Sequence, residues 1–401
     1  MGHLPVEQAL ALLWEHTPGP KREGLSWRHA LGRVLLEPAL SLQDDPAFDR
    51  SSMDGYSLEA AGTHEGSRLA VTATILAGQC PSRLLESGGA VKVMTGAPIP
   101  VGADAVVPVE DCRESDGFVE LLRPVRPGEN ARYRGENLRA GEAVFSPGRR
   151  LDALDVATGI ALGIKRAAVA RRPSATVLAT GSELVEPGAA PSPGQNPNSN
   201  GPMLAALWQA WGGELVGEAS VPDGEEELEA AIRRGLQSDF LVLSGGVSVG
   251  ERDLVPELLE RAGVRRIFHK VAMKPGKPIY FGRRGDTVVL GLPGNPLSSF
   301  VGALLFLQAS LRKRTGLPPP TWRTRRLAER HESGGDRTRF EPAVLADGGA
   351  VKLLPHKGSA DLPAWRGAEA LAELPAGRAV FEAGSPLRVL LFRHAGREVG
   401  A

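Results

Sequence analysis

Residues 240–261 read FLVLSGGVSVGERDLVPELLER, and this stretch decides the fold at the centre of the chain. Phe240–Leu243 is a short apolar run, as expected for a strand buried on both faces of a parallel sheet. Ser244-Gly-Gly246 marks a turn, and Asp253–Arg261 has apolar residues at helical spacing. A strand, a glycine turn and a helix in this order predict one βα unit of an open α/β domain.

The same alternation continues on both sides of this stretch, over residues 173–318. Short apolar runs predict further strands, and apolar residues at helical spacing predict further helices. The predicted strands are 175–179 and 287–290, and the predicted helices are 200–211, 225–236 and 296–314. This pattern predicts a parallel sheet covered by helices on both faces.

The remaining sequence divides into three further zones by composition. Residues 1–45 predict a helix followed by extended chain, and residues 141–172 are helix-compatible. Residues 46–140 are rich in Gly, Pro and Val, with short strands predicted at 69–75 and 103–109. Residues 319–401 carry strand-like runs at 350–354 and 387–392, which predict a small β domain or barrel.

Composition limits the number of domains, the cellular location and the classes of partner that can be expected. Its 401 residues exceed one ordinary core, so two to four domains are expected. Lys and Arg total 47, and so do Asp and Glu, so no net charge favours nucleic acid or an acidic membrane. Cys80 and Cys112 cannot build a disulfide framework, and no apolar run spans a bilayer. A cytoplasmic protein is predicted.

Four segments follow predicted strands of the α/β zone, where open sheets bind ligands. They are Thr180–Glu183, Ser244–Asp253, Lys270–Lys277 and Gly291–Pro296. The glycines between Gly245 and Gly250 would let backbone N–H groups approach a phosphate, and a helix start adds favourable potential. An ordinary strand-to-helix turn is the alternative. Gly291–Pro296 is likewise either the lining of a pocket or a tight connection.

Charged side chains cluster at two of these segments. Lys270, Lys274 and Lys277 would bind an oxyanion or phosphates, unless they form a solvated basic face. The Pro275-Gly276 turn favours binding, because it would hold the lysines at the sheet edge. Three carboxylates are candidates for a Mg²⁺ site, although two of them equally fit helix caps. These three are Glu183, Asp223 and Asp253, of which Asp223 and Asp253 precede helices.

Residues 46–140 contain two conspicuous strings, 48–56 and 94–100. Asp54 precedes Gly55 and is interpreted by default as a turn former. Nothing physical in these strings alone indicates catalysis.

Taken together, the motifs resemble the molybdopterin molybdenumtransferase family, which includes MoeA and the gephyrin E-domain. Each string is weak alone, but the set occurs in the family's order and covers nearly the whole chain. The matching strings are Ser51-Ser-Met-Asp-Gly-Tyr56, Met94-Thr-Gly-Ala-Pro98, Gly102-Ala-Asp-Ala-Val106, Arg134-Gly-Glu136, Thr180-Gly-Ser-Glu-Leu184, Ser244-Gly-Gly-Val-Ser-Val-Gly250, Lys274-Pro-Gly-Lys-Pro278, Gly291-Leu-Pro-Gly-Asn-Pro296 and Arg337-Thr-Arg-Phe340.

The resemblance implies a multidomain α+β and α/β protein with four domains. The central one is a three-layer α/β/α domain of the molybdopterin-binding fold. It is joined by a Gly/Pro-rich β domain, an elongated N-terminal domain and a C-terminal β-barrel-like domain. The implied bounds are 1–45 with 141–172 for the elongated dimerisation domain, 46–140 for the inserted β domain, 173–318 for the central domain and 319–401 for the C-terminal domain.

The resemblance also implies an activity. Adenylyl-molybdopterin and molybdate are the substrates, and molybdenum cofactor and AMP are the products, with Mg²⁺ assisting. A homodimer is implied, with an active cleft between the central domain of one subunit and the Gly/Pro-rich domain of the other. The molybdopterin adenylyltransferase is a further implied partner.

Residue roles follow by position in the family's motifs. Asp253, Asp223 and Glu183 correspond to the acidic residues that hold the metal or shape the site, and Lys270 and Lys274 to the basic pair facing molybdate and the pterin phosphate. Substrate and phosphate binding is assigned to Thr180, Gly245, Gly246, Ser248, Lys277, Pro293 and Pro296. Asp54, Thr95 and Arg132 correspond to positions that reach the cleft from the partner subunit.

Three residues depart from the family's pattern. Asn137, Ser182 and Asn198 stand where the family commonly has Asp. Weaker metal affinity or an altered charge balance around molybdate is therefore expected. The alternatives to the enzyme are a non-catalytic paralogue acting as cofactor carrier or scaffold, and a nucleotide-cleaving enzyme on the same central domain. Molybdate and tungstate are nearly the same size, and the sequence does not distinguish them.

Overall fold

The structure is a computed structural model that describes residues 3–80, 84–247 and 254–393. The chain forms two compact units. The large unit comprises residues up to Glu23, residues 32–36 and residues from Val169 onward, and the small unit comprises residues 24–31 and 37–168. The predicted four-domain bounds stay a prediction.

The helices lie mainly in the large unit. The α-helices of the described residues are α1 (Val6–His16), α2 (Ala153–Ala161), α3 (Asn200–Ala210), α4 (Glu225–Gly235), α5 (Val255–Arg261), α6 (Pro296–Gly302) and α7 (Gln308–Arg314). A π-helical turn, Ala303–Leu307, joins α6 to α7. Single 3₁₀ turns occupy Trp27–His29, Val109–Asp111, Asp347–Gly349 and Leu362–Trp365. No helix within the described ranges combines the length and apolar character needed to cross a membrane.

The strands are numbered in chain order. Those before residue 171 are β1 (Arg22–Ser26), β2 (Ala39–Leu40), β3 (Arg50–Ser51), β4 (Gly55–Leu58), β5 (Arg68–Ile75), β6 (Gly89–Val93), β7 (Ala105–Pro108), β8 (Cys112–Ser115), β9 (Phe118–Leu121), β10 (Ala131–Arg132), β11 (Ala143–Phe145) and β12 (Arg166–Ala170). Those up to residue 292 are β13 (Ser174–Thr180), β14 (Leu184–Val185), β15 (Asn196–Pro197), β16 (Glu214–Val221), β17 (Phe240–Ser244), β18 (Arg265–His269), β19 (Met273–Lys274), β20 (Tyr280–Arg284) and β21 (Thr287–Leu292). The last are β22 (Arg323–Arg326), β23 (His331–Glu332), β24 (Thr338–Leu345), β25 (Val351–Leu353), β26 (Ala370–Leu374), β27 (Val380–Phe381) and β28 (Pro386–Leu391).

The central sheet of the large unit has the order β16-β13-β17-β21-β20-β18. The first four strands are parallel, as predicted. The prediction of an all-parallel sheet is wrong at one edge, because β20 is antiparallel to both β21 and β18. Only Gly285 and Asp286 separate β20 from β21, and two residues are too few for the crossover that a parallel pair needs.

Two hydrophobic cores cover the faces of this sheet. Alternate residues of β17 supply both, since Phe240 and Val242 lie in the core that includes α3, whereas Leu241 and Leu243 lie in the core that includes α4 and α5. Burying each such side chain contributes about 1.5–3 kcal/mol. The predicted helical cover on both faces is therefore confirmed.

The rest of the large unit is mostly β structure after residue 322. One sheet has the order β19-β24-β26-β28-β22, with β25 also paired to β24. The short strand β19 lies parallel to the start of β24, with Met273 opposite Thr338 and Lys274 opposite Arg339. This pairing joins the segment after β18 to the C-terminal sheet.

The small unit contains a sheet of order β7-β4-β6-β5-β9-β8. Its strands β5 and β7 fall at the predicted positions. Gly55 begins β4, where a Cβ atom would lie 2.0 Å from the Val107 carbonyl oxygen, so only glycine permits this strand pairing. The helix-compatible interpretation of residues 141–172 is wrong outside α2, because β11 and β12 are strands.

Helix α2 carries a close contact that gives a testable prediction. A Cβ atom on Gly159 would lie 2.0 Å from Nε1 of Trp27, a fully buried side chain. We expect Gly159→Ala to lower the free energy of unfolding of the small unit by about 1–3 kcal/mol, because the indole must move. Hydrogen exchange of the α2 amides would measure it. Gly19→Ala is the control, since its Cβ would meet nothing within 4 Å; equal protection in both variants would contradict the prediction.

Candidate active site

A cavity of about 790 Å³ opens at the carboxyl-terminal edge of the central sheet. The ends of β13, β17 and β21 reach it, as expected for an open α/β sheet. Its volume suits a nucleotide-sized ligand. The predicted site residues that line it are Thr180, Glu183, Asp223, Gly245, Gly246, Pro293 and Pro296.

The Gly245-Gly246 turn requires glycine at both positions. Both residues have positive φ, 97° and 62°. A Cβ atom on Gly245 would lie 2.4 Å from the Thr180 carbonyl oxygen, and one on Gly246 would lie 2.7 Å from a methyl carbon of Val255. The turn therefore packs bare backbone against its neighbours, and the Gly245 N–H donates to the Leu292 carbonyl at 3.0 Å, so both glycines are required by the packing of the turn itself. Ser248 lies outside the described residues.

Asp223 does not cap a helix. Gly224 is the N-cap of α4, and no side chain caps it. Asp223 instead accepts a hydrogen bond from the Ser182 N–H at 3.1 Å, and its own N–H donates to the Ser182 hydroxyl at 3.0 Å. The capping interpretation is therefore wrong for Asp223. The reciprocal pair joins the end of β13 to the end of β16 at the cavity rim.

Asp253 lies outside the described residues, and α5 begins at Val255 rather than at Asp253. Glu183 and Asp223 are the carboxylates that line the described part of the cavity. Among the described residues no group of three or more His, Cys, Asp or Glu side chains is arranged to hold a metal.

Asn200, which was not predicted as a site residue, stabilises the cavity wall through hydrogen bonds. Its Nδ2 donates to the Ser244 hydroxyl at 2.9 Å and to the Gly294 carbonyl at 2.7 Å. Because Gly294 can only accept there, the orientation of the amide is defined. Asn200 thus ties the start of α3 to the ends of β17 and β21. The run of three Asn residues from 196 to 200 was the only sequence signal.

Asn198 is also fully engaged. Its Oδ1 accepts the Gly201 N–H at 3.0 Å, and its Nδ2 donates to the Ser220 hydroxyl at 2.9 Å. An aspartate could make the first bond but could not donate the second.

The basic segment, residues 270–277, lies beside the cavity rather than in its lining. It follows β18, which ends at the same sheet edge as β21, and the next residue, Pro278, lines the cavity. His269 Nε2 also donates to the carbonyl of Val247 in the cavity lining at 2.7 Å. None of Lys270, Lys274 and Lys277 has a carboxylate partner among the residues that the structure describes.

Lys270 has an unusual backbone conformation. Its φ is 73°, in the left-handed region that favours glycine. A lysine there costs about 1–3 kcal/mol, and such strain concentrates at functional sites. The N–H of Lys270 donates to the Ile279 carbonyl, and that of Val271 to the Lys277 carbonyl, both at 2.9 Å. These bonds hold Lys270 and Lys277 at neighbouring positions.

The other predicted residues lie in the small unit. Asp54 accepts hydrogen bonds from the N–H of Thr95 at 2.6 Å and from its hydroxyl at 2.8 Å. These two bonds, the backbone one first, lower the pKa of Asp54 below its ordinary value. Asp54 is therefore an oriented carboxylate rather than a simple turn former.

Arg132 lies on β10, whose partner strand β3 ends three residues before Asp54. It pairs with Glu136 and donates to Asn137 Oδ1 at 2.9 Å. Asn137 in turn donates to Asp45 Oδ2 at 2.9 Å, a bond that an aspartate could not make.

Cys112 is poorly suited to act as a nucleophile. Both cysteines are free. Burial raises the pKa of Cys112 to about 11, so its thiol stays protonated at neutral pH.

Comparison with known proteins identifies the family of the chain. Three family models match in order: the MoeA N-terminal region (domain I and II) over residues 4–163, a probable molybdopterin binding domain over 176–313, and the MoeA C-terminal region (domain IV) over 324–392. Two crystal structures of the molybdopterin biosynthesis MoeA protein from Pyrococcus horikoshii match with TM-scores of 0.85 and 0.82 and 30% and 29% identity. Each match covers 98% of this chain and 100% of that chain.

Two curated relatives are named molybdopterin molybdenumtransferase. The molybdopterin molybdenumtransferase of Synechococcus elongatus is 35% identical over 371 residues, covering 89% of this chain and 91% of that protein. The molybdopterin molybdenumtransferase of Bacillus subtilis is 31% identical and covers 97% and 94%. The predicted multidomain fold and the assignment to transferases are thereby confirmed. The chain belongs to the MoeA family of molybdopterin molybdenumtransferases.

Proposed function

We propose that this protein inserts molybdenum into molybdopterin. In the proposed reaction adenylyl-molybdopterin and molybdate give molybdenum cofactor and AMP, with Mg²⁺ required. The phosphoanhydride bond between the pterin phosphate and AMP is hydrolysed: one water adds across it, which leaves a phosphate monoester on the pterin and releases AMP. Such a reaction needs charge neutralisation and positioning more than a protein nucleophile.

One observation carries this proposal. A nucleotide-sized cavity with a two-glycine turn and two carboxylates borders a lysine segment that has no carboxylate partner among the described residues. This arrangement supports the proposal, because it would give anionic ligands of two kinds adjacent places, one in the cavity and one beside it.

The cavity residues fit the nucleotide end of the substrate. The N–H of Gly246 would bind phosphate, while Gly245, whose N–H donates to the Leu292 carbonyl at 3.0 Å, would hold the turn in place. Pro293 and Pro296 would form a rigid wall beside the nucleotide. Thr180 lies next to the glycine turn. If either glycine carried a Cβ atom, that atom would lie 2.9 Å from the Thr180 hydroxyl oxygen.

Glu183 and Asp223 fit a Mg²⁺ site, because Mg²⁺ takes one or two carboxylates and completes its shell with water and substrate phosphate. Asp223 uses Oδ2 for Ser182, and no residue in the described ranges donates a hydrogen bond to its Oδ1. When bound, Mg²⁺ would polarise the phosphate. Asp253 is proposed as a further ligand by its position in the family's motif.

The basic segment would hold molybdate. Lys270, Lys274 and Lys277 supply three positive charges to a dianion beside the cavity. The strained backbone of Lys270 supports this role, since a purely structural position would be better filled by glycine.

The remaining parts of the proposal concern assembly. We propose a cytoplasmic homodimer in which Asp54, Thr95 and Arg132 of each subunit serve the partner's cavity, and delivery of the substrate by the molybdopterin adenylyltransferase. The bond between Asp54 and Thr95 supports a shared role for these two. The four domain bounds given above, 1–45 with 141–172, 46–140, 173–318 and 319–401, belong to this proposal.

The test is AMP release from adenylyl-molybdopterin, followed with and without molybdate and Mg²⁺. We expect release to depend on both. Tight binding of the substrate with no AMP release would instead show a carrier. Release that ignores molybdate would show a nucleotide-cleaving enzyme. Replacing molybdate by tungstate in the same assay would determine which oxyanion is preferred.

A further inference from the structure

Residues 357–362, here called the wall segment, close one side of the cavity. Ala360 and Leu362 line it. The carbonyl of Ser359 accepts the N–H of Leu297 at 3.1 Å, in the first turn of α6. The segment therefore touches the same helix start that supplies Pro296 to the cavity, although it belongs by sequence to the C-terminal region.

His356 anchors the start of the wall segment through both ring nitrogens. Nδ1 lies 3.2 Å from the Gly358 N–H, and Nε2 lies 2.5 Å from Oε2 of Glu341. Because a backbone N–H can only donate, Nδ1 is the acceptor and the ring proton is on Nε2, from which it is donated to the carboxylate. One imidazole thus joins the wall segment to β24.

Glu341 is a buried anchor, with 5% of its surface exposed. A carboxylate so enclosed must be compensated. Its Oε1 accepts from Arg339 Nε at 2.9 Å and pairs with NH2 at 2.8 Å, while Oε2 accepts from His356. Both oxygens are occupied, so the carboxylate fixes the positions of the Arg339 and His356 side chains.

Glu341 is also connected to the basic segment, through Arg339. Arg339 lies opposite Lys274 where β24 pairs with β19. Glu341 therefore connects the strand that supports Lys274 to the segment that walls the cavity. A second contact lies just beyond the wall segment, where Trp365 packs edge-on against Phe300 of α6 at 5.9 Å between ring centroids.

We propose that His356 is a positioning residue: through Glu341 it holds the wall segment in the conformation that the cavity ligand requires. The inference rests on the proposed function only for the identity of that ligand. His356 does not line the cavity, so its loss should weaken ligand binding and leave the lysine-assisted step intact.

The test compares three substitutions of His356. His356→Ala removes both bonds. His356→Gln can place an amide N–H where Nε2 was, which restores the donor to Glu341, and His356→Asn can place an oxygen where Nδ1 was, which restores the acceptor for Gly358. For each variant KM for adenylyl-molybdopterin, kcat, the Kd of AMP and the melting temperature are measured.

We expect His356→Ala to raise KM and the Kd of AMP about tenfold, as for the loss of a charge-assisted hydrogen bond, with kcat within about twofold. The Gln and Asn variants should each recover part of the loss. His331→Ala is the control, because His331 on β23 belongs to the same C-terminal region and does not line the cavity. It should leave both constants unchanged.

The outcomes separate the two proposals. If wild-type protein binds AMP but releases none from substrate, the proposed reaction fails, and the Kd values still test His356. If wild-type protein turns over and His356→Ala changes melting temperature but neither KM nor the Kd of AMP, the positioning role is overturned. A fall in kcat with unchanged KM would overturn it as well.

Discussion

Replacing Lys270 with glycine is expected to reduce molybdate-dependent AMP release by about 100-fold or more without loss of stability. Removing a charged group that stabilises developing or bound negative charge typically costs a factor of about 10²–10³. Stability should hold because Lys270 has a φ of 73°, which glycine adopts without the steric cost that lysine pays. The measurements are the rate of AMP release and the free energy of unfolding of the same preparation.

Two further variants make this result interpretable. Lys270→Ala removes the same charge but keeps a side chain in the left-handed region, so it should lose turnover equally and be less stable than Lys270→Gly. Lys165→Ala removes an exposed lysine of the small unit and should leave turnover unchanged. Wild-type turnover in Lys270→Gly would refute the assigned role in oxyanion binding.

The grouping of the cavity residues could be predicted from the sequence because it depends on sheet geometry alone. Thr180, Gly245 and Pro293 each follow a strand that reads as apolar and buried. Parallel neighbours end at one edge, so these residues had to meet there. The resemblance to the family assigned roles to these residues, but sheet geometry alone predicts that they lie close together.

The hydrogen bonds at that edge could not be predicted. Asp223 precedes a helix, and local rules favour a cap. Its actual partner, Ser182, is 41 residues away in the chain and arrives only when β13 and β16 pair. Asn200 is similar, because its acceptor at Gly294 is 94 residues away.

The antiparallel edge of the sheet escaped prediction for a different reason. Strand β20 contains Tyr280 and Phe281, which are fully buried, but its last residues are charged. The short run carried no clear period, so the hairpin at Gly285 was missed. Lys270 owes its position beside the cavity to this edge, since β18 joins the sheet through β20.

At the opposite end of the sheet, Asp239 holds several chain segments together and gives the second large prediction. This carboxylate is 7% exposed. It pairs with Arg314, which is 3% exposed in its side chain, at 3.2 Å, with Lys21 at 3.4 Å, and with Arg171. The N–H of Ser174 donates to it at 2.9 Å. The partners of Asp239 come from distant parts of the sequence, so no local sequence pattern contains this network.

The pKa of Asp239 reflects the balance of these contacts. Burial alone would raise it, but hydrogen bonds from the Ser174 N–H, Arg171 and Arg314, together with the charge of Arg171, outweigh burial and lower the pKa to about 2, from 3.8. A group whose pKa is lower in the folded state stabilises the fold above its unfolded value and loses that effect as pH falls. The shift corresponds to about 2 kcal/mol, fully present above about pH 4 and lost as pH falls through about 2.

Asp239→Asn is expected to lower the free energy of unfolding of the large unit by about 3–5 kcal/mol at neutral pH, because it leaves the buried guanidinium of Arg314 without its close counter-charge. Denaturant unfolding at pH 7 measures the loss, and the difference from wild type should shrink below pH 4.

Asp286→Asn distinguishes the effect of burial on stability from the effect of the number of charges. Asp286 faces the same Lys21 and Arg314, at 3.5 Å and 3.8 Å, but its side chain is 62% exposed. An exposed pair contributes about 0–1 kcal/mol, so this variant should be nearly neutral. Both substitutions remove one carboxylate from Lys21 and Arg314, and Asp239→Asn also removes one from Arg171. Equal losses would show that total charge, rather than desolvation of Arg314, determines the stability of this end of the sheet.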